Sequence, residues 1–264
     1  MQAGGCFRLR HGFEASFLPA GLSGMEIQGV VRGMGLRYRG DDITGEGMGV
    51  GGVVVRLRGV THFPMKSEDI YGDGMAARRF FLNGLSRRFL GPIDVTRAHR
   101  YVREKLSPKY VEGSSSSLLF EKLIRLRTKL LKTRYMVSET AEVCGVRYRF
   151  SENSIQVDVA RERGRGTLVV ANEVSGELFD TLLVDGHAIR MKPWTRLHTE
   201  SPALYSTKLG VKLALFFNGG LELYVGREVY PPRLNWAGVD LVLHDGEMDA
   251  HYTVKLTSRL DEDI

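Results

Sequence analysis

Hydrophobic and polar residues alternate with a period of two at both ends of this chain, and a central stretch breaks that period. In the first third, Phe7 to Leu18 and Met25 to Tyr38 read as strands, with Met34, Leu36 and Tyr38 alternating with Gly35 and Arg37. Val53 to Leu57 and Val60 to Phe63 predict a short hairpin turning near Gly59 and ended by Pro64. From Tyr135 to Leu256 the two-residue period returns, punctuated by turn signals at Ser175-Gly176, Asp185-Gly186, Asn218-Gly219 and Asp245-Gly246. Leu209, Val211, Leu213, Leu215 and Phe217 alternate up to Asn218, and Leu221, Leu223 and Val225 continue beyond it, which predicts another hairpin with one face in the core.

Between these β-patterned parts the spacing becomes helical. Met75 to Phe89, Thr96 to Leu106 and Ser117 to Lys132 read as three helices separated by Gly91-Pro92 and Ser107-Pro108. In the last of them Leu119, Phe120, Leu123, Ile124, Leu126, Leu130 and Leu131 share one face, while Lys122, Arg125, Lys129 and Lys132 form a stripe on the other. The predicted fold class is therefore mainly β (α+β): an antiparallel β-sandwich or barrel-like core with an inserted segment of about three helices. Residues 1–74 form an N-terminal β part with Gly-rich acidic loops, 75–134 a basic helical insert, and 135–264 an antiparallel β part continuous with the first.

Composition narrows the setting. The 264 residues are 43% hydrophobic, and no uncharged apolar run approaches the ~18 residues a bilayer requires. Arg8, Arg10 and His11 interrupt the apolar residues of the N-terminus, unlike a signal peptide, and Cys6 and Cys144 lie far apart without a CxxC pair. These features predict a soluble protein of the reducing cytoplasm. A net charge of +6 conceals an asymmetry: residues 75–134 hold 15 Lys or Arg against four acids, an excess of +11 that leaves −5 on the rest.

That charge points first to a nucleic-acid-binding protein, its helical face touching backbone phosphates through Arg97, Arg100, Lys122, Arg125, Lys129 and Lys132. Arg78, Arg79, Arg87 and Arg88 extend the surface. No base-reading motif accompanies the charge, and an anionic membrane surface ranks below nucleic acid as a partner. Two other readings stand beside it. Gly40 to Gly52 contains six glycines, and its flanking loops carry Asp41, Asp42 and Glu46 on one side and Glu68, Asp69 and Asp73 on the other. If the Val53–Phe63 hairpin draws these together, the carboxylates suit a divalent cation, Mg²⁺ or Ca²⁺, and with it phosphodiester chemistry beside the basic face. Without the basic face, the same carboxylates suit a carbohydrate-active or small-ligand-binding β-sandwich protein. The third reading is a structural or assembly module, in which the +11 insert of one copy docks on the −5 body of another to form a homo-oligomer.

Smaller motifs add little. Gly47, Gly49 and Gly52 satisfy G-x-G-x-x-G, yet a strand pattern follows where a dinucleotide fold needs a helix. A two-residue turn at Asp245-Gly246 pairs His244 with Glu247 and Asp240 with His251 on one hairpin face. No HExxH, P-loop or GxSxG is present, so catalytic residues are unassigned.

Overall fold

A computed structural model describes residues 5–20, 29–58, 60–90, 132–189, 191, 195–219, 221–230 and 234–259. Among these residues there are eighteen strands and one short 3₁₀ turn, Arg10–Gly12, with no α-helix. The strands are β1 (Cys6–Arg8), β2 (Phe13–Phe17), β3 (Met34–Tyr38), β4 (Asp41–Asp42), β5 (Gly49–Leu57), β6 (Val60–Gly72), β7 (Met75–Leu90), β8 (Lys132–Phe150) and β9 (Ser154–Arg161). They continue as β10 (Thr167–Val174), β11 (Thr181–Val184), β12 (His187–Ile189), β13 (Thr195–His198), β14 (Ala203–Ser206), β15 (Val211–Phe217), β16 (Glu222–Tyr230), β17 (Leu234–Leu243) and β18 (Asp249–Ser258).

Antiparallel pairing arranges them in two layers. The first sheet runs β1-β2-β3-β5-β10-β17-β16-β13, with β4 paired to β3. The second runs β6-β7-β8-β9-β18-β15-β14-β11-β12. Among the described residues the β5–β6 hairpin, pairing Val55 to Leu57 with Val60 to His62, is the one strand pairing between the two sheets. Among the described residues β12 and β13, the far edges, do not pair, so the sheets form a sandwich and not a closed barrel.

One hydrophobic core fills the space between the layers. Val50, Val53, Val55, Leu168, Val170, Leu223, Val239 and Leu241 enter it from the first sheet, and Phe80, Leu82, Val146, Tyr148, Leu213, Leu215, Val254 and Leu256 from the second. Strand periodicity delivers them: along β18 every second residue from Ala250 to Ser258 is buried. Two tyrosines cross the core. Tyr148 Oη donates to the carbonyls of Val50 (3.0 Å) and Gly51 (3.3 Å), and Tyr252 Oη donates to Asn172 Oδ1 (2.8 Å). Gly51 has a φ of +69°, and a Cβ there would sit 2.6 Å from Tyr148 Oη, so only glycine fits this crossing.

The helical insert is corrected at its first element. Met75–Phe89 is strand β7, paired along its length with β6 and β8. Ala76, Arg78, Phe80 and Leu82 are buried on one face with period two, but the arginine within that series disguises the alternation. The other two expected helices lie outside the described residues, except Lys132, which opens β8. Leu90 pairs with Lys132, so the chain leaves and rejoins the ribbon at one point. The turn signals are corrected too. Asp185 (φ +49°) and Gly186 (φ +80°) do close a hairpin between β11 and β12. The chain at Ser175-Gly176, Asn218-Gly219 and Asp245-Gly246 instead passes from one sheet to the other, since β10, β16 and β17 belong to the first and β11, β15 and β18 to the second. No helix among the described residues is long and apolar enough to cross a membrane.

Candidate functional site

The acidic residues singled out in the sequence are distributed over separate elements. Asp41 and Asp42 form β4, and Asp42 Oδ1 accepts hydrogen bonds from the backbone N–H of Thr44 (2.9 Å) and Gly45 (3.2 Å). Glu46 follows in a turn, Glu68 and Asp69 lie within β6, and Asp73 lies in the turn to β7. Asp69 receives a bidentate pair from Arg78 (2.7 Å each), whose guanidinium also donates to the carbonyls of Leu18 (2.9 Å) and Arg32 (2.5 Å) and lies 4.1 Å from the centre of the Phe17 ring. Glu68 stands between Lys66 (3.9 Å) and Arg79 (3.8 Å). Among the described residues no group of three or more His, Cys, Asp or Glu side chains is placed to hold a metal ion.

Of the two expected pairs of the last hairpin, one separates. Asp240 is buried on the first sheet, whereas His251 lies on the second, with Nδ1 2.9 Å from Asp158 Oδ1. His244 keeps Glu247 through its backbone N–H, which donates to Glu247 Oε2 (2.5 Å).

A more concentrated constellation occupies the outer face of the first sheet. On β17, Val239, Leu241 and Leu243 enter the core, so Gly238, Asp240 and Val242 point away from it. On β16, Leu223 and Val225 enter the core, so Glu222 and Tyr224 point outward. Register then sets two rows across β13, β16 and β17: His198 beside Glu222 beside Val242, and Arg196 beside Tyr224 beside Asp240. Val242 and Asp240 are buried, Glu222 and Tyr224 half-buried, and Arg196 and His198 exposed, so the rows make a shallow array with a floor and a rim. Arg196 Cζ lies 5.3 Å from the Tyr224 ring centre and its Nε 3.4 Å from Glu222 Oε1, while His244 Nε2 lies 3.3 Å from Glu222 Oε2. Beside the array, Val30, Met48, Phe63 and Ala171 pack a small second core on the same face.

A second carboxylate reaches the floor through a β-bulge. The register shift between Ala171 and Asn172 turns Asn172 toward the core, where it meets Tyr252 and Gly51, and turns Glu173 outward. Glu173 Oε2 accepts the Met48 backbone N–H (2.7 Å), and Asp240 Oδ1 accepts the Asn172 backbone N–H (3.2 Å). A Cβ on Gly238 would stand 3.0 Å from Glu173 Cγ and 3.3 Å from Asp240 Oδ1, so both side chains converge over this glycine. Burial pushes the Glu173 carboxyl up to about 7, with the nearby charge of Glu228 adding to it against the Met48 N–H. Burial, reinforced by Glu173, raises Asp240 well above the usual carboxylate range, against the Asn172 N–H and Arg56.

A buried ion pair fixes the approach to this face. Arg161 and Glu142 meet at 3.5 Å with their side chains sealed from solvent. Arg161 also donates to the carbonyls of Arg165, Gly166 (3.1 Å), His244 (3.3 Å) and Glu247 (3.4 Å), and Glu142 accepts the N–H groups of Arg163 (2.8 Å) and Arg165 (3.1 Å). The loop after β9 and the turn carrying His244 are thereby held together.

No protein-family model matches the chain, and no curated protein is found to be related to it. Solved structures do match. The α-N-acetylgalactosaminidase NagBb of Bifidobacterium bifidum, in its GalNAc complex, aligns with a TM-score of 0.50 and 8% identity, over 96% of this chain and 36% of its own. The chain shares its fold with part of a glycosidase. The 4-alpha-glucanotransferase of Thermococcus litoralis (TM-score 0.48, 7% identity) aligns over 94% of this chain and 36% of its own. A glycosyl hydrolase family 38 protein of Enterococcus faecalis (TM-score 0.47, 9% identity) aligns over 98% and 30%. The chain thus spans about a third of the length of each of these proteins.

The nucleic-acid reading is overturned by the fold. It required a helical face, and the described part of that face is a strand whose Arg78 is buried in an ion pair and whose Arg79 pairs with Glu162 and Glu68. Arg97, Arg100, Lys122, Arg125 and Lys129 lie outside the described residues, as does the side chain of Lys132. The array that the fold does build rests on Glu173, Arg196, Glu222 and Tyr224, none of which stood out in the sequence. Asp240 had a signal, as the lone charge in the apolar run Val239 to Leu243, but the wrong hairpin sent it toward His251.

Proposed function

We propose that the protein is a carbohydrate-active or saccharide-binding β-sandwich protein that takes a neutral sugar on the outer face of its first sheet. The observation that carries this reading is the array of Glu222 and Tyr224, half-buried above Asp240 and rimmed by Arg196, His198 and His244. A pyranose presents an apolar C–H face and a ring of hydroxyls, and it is met by an aromatic side chain and polar groups held side by side. Strands hold these groups, so their spacing is fixed by register before any ligand arrives. Raised carboxyl pKa values at Glu173 and Asp240 keep the floor less negative than its four oxygens suggest, which favours an uncharged ligand over a cation. The glycosidase that shares the fold, solved with GalNAc, supports the same direction.

The test is a thermal-shift panel of methyl pyranosides, amino sugars, uronates and short glucans against the whole chain. A dose-dependent rise in melting temperature with neutral sugars, and none with uronates, is the expected result. Release of a chromophore from nitrophenyl glycosides by the same preparation would extend binding to hydrolysis. A panel without any stabilising sugar would remove the reading.

A further inference from the structure

A turn of the chain lies over Glu173. Residues 43–48 cross β5 and β10 on the outer face of the first sheet, and the fit is close. A Cβ on Gly47 would stand 2.8 Å from the Glu173 carbonyl carbon, and one on Gly52 2.8 Å from Met48 Cβ. Backbone bonds pin both ends of the turn: the Ser175 N–H donates to the Ile43 carbonyl (3.0 Å), and the Gly33 N–H to that of Met48 (2.8 Å). Met48 closes the small core of Val30, Phe63 and Ala171. From β10 the Glu173 carboxyl meets the turn by accepting the Met48 N–H (2.7 Å). No cation balances this carboxyl. Among the described residues neither Glu173 nor Asp240 has an ion-pair partner. The charges acting on the two are Glu228 from β16 and Arg56 from β5, and the Tyr252 hydroxyl from β18, held protonated by burial, stands behind Asn172. Asp42 and Glu46 of the turn are drawn instead to Arg32, which donates to the carbonyls of Gly45 (2.9 Å) and Gly47 (3.5 Å).

We propose that the proton on Glu173 is the latch of the 43–48 turn: with it the turn stays closed on the sheet, and without it the side chain leaves for solvent and the turn opens. Ionised in place, Glu173 sets an unpaired charge near Glu228 in a position shielded from water, whereas turning outward returns the carboxylate to water. Glu173 is half-buried, so the way out is short. Opening withdraws Met48 from Phe63 and Ala171 and so uncovers the sheet beside the array. The sign follows from the proton. The open turn holds Glu173 with an ordinary carboxyl and the closed turn with one pushed up to about 7, so opening grows as pH rises between those values and levels above them. The latch governs the floor of the face on which sugar is proposed to bind, yet it rests on the bonds of the turn and needs no ligand.

Native-state hydrogen exchange of the whole chain, followed by NMR at low urea concentrations, reads the turn directly. After correction for intrinsic rates, protection of the Met48 amide is expected to fall about tenfold per pH unit across that window, independently of urea. The Gly33 and Ser175 amides, bonded to the same turn, are expected to follow it, while the Leu241 amide of the core exchanges only with urea-dependent global unfolding. Glu173→Gln keeps an acceptor for Met48 without a titrating group, and its Met48 protection is expected to be flat with pH. Should that variant not fold by circular dichroism, Glu228→Gln removes the nearby charge and is expected to move the window to lower pH. A Met48 amide with the urea dependence of Leu241, or with one pH profile in the parent and the folded Glu173→Gln, overturns the latch. So does an unmoved window in Glu228→Gln. Failure of the sugar panel leaves the latch standing, and failure of the latch leaves the saccharide reading to its own test.

Discussion

Glu173 and Asp240 show what the surroundings of a residue do to its chemistry. Burial holds both carboxyls protonated to higher pH than in an unfolded chain. Between the ordinary glutamate value and about 7 the folded state therefore binds more protons than the unfolded one, and stability falls as pH rises through that window. Glu173→Gln is expected to abolish most of that slope and to stabilise the protein at alkaline pH by about 1–3 kcal/mol. Urea unfolding on either side of the window reads it. Parallel slopes for variant and parent would contradict the burial of a protonated Glu173. Arg161 behaves oppositely. Its replacement by Met strands Glu142 in the interior and is expected to cost about 3–5 kcal/mol, while a second change of Glu142 to Leu recovers most of the loss. Equilibrium unfolding of the two variants gives the comparison.

Among the elements, β7 and β8 carry the clearest lesson. Because Leu90 pairs with Lys132, replacing residues 91–131 by Asn-Gly is expected to close a hairpin and leave the sandwich folded. A single cooperative thermal transition in the shortened chain bears this out, and a chain that does not fold contradicts it. Strand content was legible in the alternation of residues such as those of β18, where nothing interrupts the period. It was hidden in β7, where Arg78 occupies a buried position because Asp69 of β6 and the carbonyls of Leu18 and Arg32 receive it. Local pattern cannot show partners that lie forty or sixty residues away. The same limit explains the turns. Asn218-Gly219 and Asp245-Gly246 reverse the chain as their residues dictate, but sandwich topology places the strands on either side in different sheets. The site suffered most from this: the rows of β13, β16 and β17 are made by register between distant segments, and a bulge at Asn172 decides that Glu173 joins them.

At the scale of the molecule, two antiparallel sheets and one shared core leave the outer face of the first sheet as a rigid platform. Its polar array, apart from His244 in the turn after β17, is held by strands, a placement that presets ligand geometry. The crossing tyrosines tie this platform to the second sheet, and Gly51→Ala, which forces a Cβ against Tyr148 Oη in a left-handed backbone, is expected to lower stability by about 2 kcal/mol or more in a thermal melt. The fold is shared with part of an α-N-acetylgalactosaminidase, and the proposed sugar site lies on this platform. Amide chemical-shift mapping with a neutral methyl pyranoside tests this most directly. Perturbations confined to Thr195–His198, Glu222–Tyr230 and Leu234–Leu243 are the predicted result. Unperturbed spectra at saturating sugar, or shifts centred on β9 and β18 of the opposite sheet, would contradict it.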